Sequence, residues 1–152
     1  MNNKNISHIW SILCRHSSVD KETNNVSAFD IIEQIQLNSK EIKQFINTKV
    51  PNEIVLPLNL QLITLWGRSN NDNKIAKAEQ IARVFSPTGQ DLGQIIQDFE
   101  IKEKQSRFRI IVNISGFKFT GPGKYIFSIR IKNIGSDDEV EVAQIPLQID
   151  LE

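Results

Sequence analysis

The chain has 152 residues, with 18 Lys and Arg against 18 Asp and Glu, so its formal net charge is zero. That balance removes the electrostatic case for a nucleic-acid binder, which needs a basic surface to displace counterions from phosphate, and gives no reason to expect an anionic membrane surface as partner. A single cysteine, Cys14, rules out an intrachain disulfide, and neither a secretory signal nor a window of ~20 apolar residues is present, so the expectation is one cytoplasmic domain over residues 1–152.

Ile6 to His16 alternates loosely and reads as a strand, with Ile6, His8, Trp10, Ile12 and Cys14 on one face and Ile9, Leu13 and Arg15 on the other. The turn formers DKETNN follow, and Val26 to Leu37 resumes the apolar content. Ala28 to Ile35 fits two templates: Ala28, Ile31, Ile32 and Ile35 have helical spacing, while Phe29, Ile31 and Ile35 suit a strand. The short preceding turn and the β-branched content favour a strand paired as a hairpin with the first segment. Ser39 is a candidate N-cap for one or two helical turns that place Ile42, Phe45 and Ile46 on one side. Pro51 and Pro57 bracket an extended link, after which Leu58, Leu60, Leu62, Thr64 and Trp66 alternate as a strand that ends at Gly67.

Ile75 to Phe85 is again ambiguous in period, but the polar loop before it and Ser86-Pro87-Thr88-Gly89 after it resemble hairpin connections, so it too is read as a strand. Ile95, Phe99 and Ile101 share one face. Phe108, Ile110, Val112 and Ile114 share another after the charged turn at Lys102 to Ser106, with Arg109 and Asn113 pointing away. The firmest signal is GPGKYIFSIRIK, Gly121 to Lys132: Tyr125, Phe127, Ile129 and Ile131 fall on every second position behind a Gly-Pro-Gly reversal. A last strand carries Ala143, Ile145, Leu147, Ile149 and Leu151. Pro146 within it cannot donate to a ladder and implies an edge or a bulge. Seven or eight short strands with at most one short helical crossover make the predicted fold all-β, an antiparallel two-sheet sandwich of immunoglobulin-like or C2-like type.

Gly123-Lys124-Tyr125-Ile126-Phe127 is similar to the tyrosine corner of immunoglobulin-like domains, with Phe127 in the core place that antibodies give to cysteine. VDKETNNVS at 19–27 running into FDIIEQI at 29–35, together with VAQIPL at 142–147 and the Pro87-Thr88-Gly89 turn, resembles an uncharacterised prokaryotic family of single-domain β-sandwich proteins. The resemblance implies a fold and no activity.

Chemistry is sparse. Cys14 and His16, two apart on one face, with Asp20 near the following turn, offer the parts of a Cys-His nucleophile or a partial metal site, but a metal needs three or four converging ligands and the other histidine, His8, is far along the same strand. Asp137, Asp138 and Glu139 crowd one loop and Asp30 with Glu33 forms another acidic pair, as solvated turns also do. Trp10, Trp66 and Tyr125 would make a stacking platform if exposed, yet each is in phase with apolar neighbours and is expected to be buried. No catalytic, cofactor or metal residue is assigned. The expected function is a non-catalytic module that binds another protein through an edge strand or loop cluster. The rivals are a small hydrolase or metal-dependent enzyme built on Cys14, His16 and Asp20, and a structural or virion-like subunit with a self-complementary face. A homo-oligomer is left open.

Overall fold

Burial with a period of two runs through the computed structural model, which describes residues 5–45, 54–69 and 73–152. Nine strands form among the described residues: β1 (Ile6–Val19), β2 (Val26–Ile31), β3 (Gln34–Leu37), β4 (Ile54–Arg68), β5 (Ala76–Phe85), β6 (Asp91–Ile101), β7 (Arg107–Phe119), β8 (Gly123–Lys132) and β9 (Val140–Leu151). They make two sheets, one in the order β2-β1-β4-β7 and one in the order β3-β9-β8-β5-β6. Neither ambiguous segment is helical: Ile75 to Phe85 contains β5, and Ala28 to Ile35 falls in β2 and β3 with a bend at Glu33 between them.

The core lies between the sheets. From the first come Leu13, Leu60, Leu62, Trp66, Phe117 and Phe119; from the second come Phe99, Tyr125, Phe127, Ile129, Leu147 and Ile149, all 5% exposed or less. Aromatic rings interlock across the gap. Trp66 lies 5.4 Å from Phe99, and Phe117 meets Tyr125 edge-on at 5.1 Å. Burying side chains of this size contributes about 1.5–3 kcal/mol each.

One polar group crosses this apolar layer. Gln80 of β5 is 1% exposed, and its Oε1 accepts from the Trp66 indole N–H at 2.8 Å and from the Thr64 hydroxyl, both on β4. At the far end of the core the Tyr125 hydroxyl accepts from the Thr120 N–H and donates to the Gly121 carbonyl, each at 2.8 Å. The side chain thus returns to the backbone of its own turn. Arg68 closes the opposite end, donating to the carbonyls of Lys74, Ile101, Lys102 and Gln105 at 2.5 to 3.3 Å.

Several expectations are corrected. The count is nine strands, because Val26 to Leu37 divides into β2 and β3, which lie in different sheets. β3 pairs with β9 in parallel, the one parallel pairing among the described strands. The helical crossover exists as α1 (Ser39–Ile42) followed by a 3-10 turn (Lys43–Phe45), but its N-cap is Asn38, whose Oδ1 accepts from the Lys40 N–H at 2.9 Å. Ile46 and Pro51 fall outside the described residues. β4 starts before Pro57, which sits exposed in a register shift between Leu56 and Asn59 where a ladder amide is not required. The face assignment of the first strand also fails halfway. A bulge between His8 and Trp10 switches sides, so Ile6 and Leu13 enter the core while Trp10, Ile12 and Cys14 stand on the outer face.

That outer face is not bare. The β1–β2 hairpin folds over it, and Asp30, near the end of β2, has φ 52°. The Ser17 hydroxyl donates to Gln61 Oε1 at 2.6 Å, and the carbonyl of Asn24, in the hairpin tip, accepts from Arg109 of β7. Beneath this flap Cys14 and Ile63 are 0% exposed although both point away from the main core.

Gly121 and Gly123, at φ +139° and +140°, make the reversal before β8, and a Cβ on Gly123 would fall 2.8 Å from the ring of Pro87, whereas one on Gly121 would meet open space. Gly121→Ala therefore costs the backbone strain alone, about 1–3 kcal/mol. Gly123→Ala adds a clash with a stiff ring and lowers the urea-unfolding midpoint further than Gly121→Ala does. Equal midpoints for the two variants would contradict this packing.

Candidate functional site

The three residues of the nucleophile alternative do not assemble. Cys14 is sealed between β1 and the flap, and burial pushes its thiol up from the usual cysteine range. His16 is on the solvent side of the hairpin, stacked on Phe29 at 4.9 Å. Asp20 caps its own turn, accepting from the N–H groups of Thr23 and Glu22 at 2.8 Å each, and those bonds hold its carboxyl below the ordinary range. Among the described residues no three His, Cys, Asp or Glu side chains gather where a metal ion could be held. The Cys14 geometry predicts slow reaction with Ellman's reagent in the native state and fast reaction in denaturant. Native labelling as fast as denatured labelling, or slowed by His16→Ala, would favour an activated thiol.

The aromatic platform is likewise absent. Trp66 and Tyr125 are 0% exposed, and Trp10 is half-buried beside Leu65. A contact not read from the sequence lies nearby: His8 Nε2 and Ser11 Oγ are 2.6 Å apart, and the His8 ring packs edge-on against Trp66 at 5.4 Å. Burial pushes the His8 imidazole below its ordinary value, with a hydrogen bond to the Trp10 backbone working the other way. The pair satisfies two polar groups beside the β1 bulge.

The acidic loop before β9 has a partner of a different kind. Glu139 takes a fork of hydrogen bonds from Arg83, at 3.1 Å from Nε and 2.6 Å from the terminal nitrogen, and a third at 3.4 Å from Arg130. Around it Arg130 meets Ser128 at 3.0 Å and Glu141 at 3.7 Å, and Lys132 meets Glu79 at 3.0 Å. Two guanidinium groups thus occupy the place that a cation would take at Glu139. Charge-assisted bonds of this type are the stronger ones, and those from Arg83 hold the Glu139 carboxyl below its ordinary 4.5 against the opposing effect of burial. A carboxyl depressed by folding stabilises the fold above its ordinary range and loses that contribution as pH falls through the folded-state value. Glu139→Gln is expected to be less stable than the parent at neutral pH, with the gap narrowing as pH drops below 4.5. Denaturant curves at pH 7 and pH 3 check this; a gap unchanged with pH would place the stabilisation elsewhere.

Two long sheet edges among the described strands have no further strand beside them. β7 ends the first sheet and β6 ends the second, and both edges lie on the same flank. Between them is an apolar cleft of about 210 Å³ lined by Val84, Leu92, Ile95, Ile114, Phe117 and Phe127. The opposite flank has a cleft of about 350 Å³ against Ile12, Ile32, Ile145 and Pro146. β3 covers β9 only from Gln148 to Leu151, so Pro146 stands on the uncovered stretch and blunts it. No proline interrupts β6 or β7. Their charges are segregated: β6 carries Asp91, Asp98 and Glu100 with no Lys or Arg, and β7 carries Arg107, Arg109 and Lys118 with no acid. The residues were legible in the sequence, but that they share a flank was not.

No protein-family model matches the chain, and no curated protein is significantly similar to it. No helix among the described residues is long and apolar enough to cross a membrane.

Proposed function

We propose that the chain is a non-catalytic β-sandwich module that binds another protein by strand addition along the β6–β7 flank. The observation that carries this reading is β7 itself. It is a 13-residue edge without proline beside an apolar cleft, so it offers a row of unpaired amides and carbonyls with room for alternate side chains. The Tyr125 hydroxyl bond to its own turn supports grouping the sandwich with immunoglobulin-like domains, in keeping with the resemblance to the uncharacterised prokaryotic family. A free, buried Cys14 is in keeping with a reducing, cytoplasmic setting.

Along an antiparallel edge successive amides point alternately towards the paired strand and away from it. Of Ile111→Pro and Val112→Pro, one breaks the β4–β7 ladder and unfolds, and the other folds but lacks an outward amide. The folded variant is expected to lose the protein that the parent captures from native lysate, and hydrogen exchange on the parent complex should slow across Arg107–Phe119. Retention of that protein by the folded proline variant would overturn the reading.

A further inference from the structure

The two edges of the open flank are complementary to each other, which narrows what can cover both. β6 and β7 run in opposite directions across the flank. Phe99 stacks on Phe108 at 5.6 Å near the link of residues 102–106, while Leu92 to Ile95 face Ile114 to Lys118 at the far end of the strands. Height along the flank therefore matches charge with charge. At the linked end β6 has Asp98 and Glu100 and β7 has Arg107; at the far end β6 has Asp91 and β7 has Lys118. Phe108, Ile110, Phe117 and Phe119 point inward on β7, as Phe99 and Ile101 do on β6, so these charged residues lie on the outer faces. Arg109 is already committed to the Asn24 carbonyl, Asp91 meets Arg83 at 3.5 Å and Glu100 meets Lys77 at 3.9 Å, so these three contribute less to the edge than Asp98, Arg107 and Lys118 do.

We propose that this flank is closed by a second copy of the chain in a twofold dimer, β6 of each molecule adding antiparallel to β7 of the other. The proposal rests on the strand-addition reading and names its partner. A twofold axis parallel to the strands turns the first sheet of one molecule onto the second sheet of the other. It preserves height, so Arg107 comes beside Asp98 and Glu100 of the second copy, and Lys118 beside its Asp91. The alternative twofold, perpendicular to the sheets, joins β7 to β7 and β6 to β6 and sets like charges together, which disfavours it. A foreign strand of one sign suits only one of the two edges, whereas a second copy suits both at once. The contact is isologous and closed, so it stops at two molecules and does not propagate into a fibre.

The test uses the full chain in sedimentation velocity at low ionic strength, with circular dichroism confirming that each variant folds. The parent is expected to sediment as a dimer. A variant with Asp98→Lys and Glu100→Lys turns the linked end of β6 basic, and one with Arg107→Glu turns the linked end of β7 acidic, while Asp91 and Lys118 stay as they are in both. Each alone should self-associate about tenfold more weakly or worse. Mixed in equal amounts they should form a heterodimer, because every edge then meets its opposite. A monomeric parent, a folded variant that still dimerises, or a mixture that stays monomeric would overturn the dimer. A monomeric parent whose captured protein is still lost with the edge proline would sink the dimer and leave strand addition standing. A dimer that persists in the folded proline variant would sink both.

Discussion

The hydrogen bonds that Gln80 receives from Trp66 and Thr64 set the relation between the two sheets. An amide 1% exposed has no water to turn to, and leaving such a group without its partner costs about 1–3 kcal/mol. Apolar packing alone tolerates sliding of one sheet over the other, because dispersion contacts are not directional. A shared carbonyl oxygen is. The bridge joins β4 to β5, and these are the strands next to β7 and β6. The spacing and height of the two open edges are therefore fixed from one strand further in.

Around that bridge, polar contacts finish what the core begins. Arg68 collects carbonyls from the approach to β5 and from the link between β6 and β7, and so anchors the linked end of the open flank. Arg83 and Arg130 draw Glu139 onto the outer face of the second sheet, which holds the loop between β8 and β9 down. Both devices join distant segments through guanidinium groups, whose planar fork loses less freedom per bond than a lysine would. The first sheet is protected differently, by the hairpin that bends back across it.

Much of the architecture was legible in period and turn chemistry. Tyr125, Phe127, Ile129 and Ile131 alternate without interruption and are all buried, and the Ser86 to Gly89 turn correctly decided that the ambiguous segment before it was a strand. What failed was whatever depended on one inserted residue or on a long-range choice of partner. The bulge before Trp10 reverses the faces of β1 without a glycine or proline to announce it. The division of β2 from β3 passes through Glu33, whose carbonyl accepts from Gln148, a residue more than a hundred positions away. The candidate site was legible only as a kind of surface. An edge was foreseeable from a sandwich, but which edge depends on strand order, and strand order is not written in local alternation. Cys14 was expected to be a buried thiol and is one, but on the outer face, where a hairpin folding over the sheet covers it.

That fold-back hairpin has a practical consequence. Asp20 to Asn25 has the composition of a surface turn, the kind of place normally chosen for inserting an affinity tag or a fluorophore. Here the Asn24 carbonyl is held by Arg109 of β7, so a graft at that position would tug on the very strand whose edge is to be probed. The polar reversal at residues 133–138 is tied down by Glu139 in the same way. The turn at Lys104 is held by Arg68, so a reporter that leaves both edges undisturbed belongs after Glu152, beside β3 at the other end of the second sheet.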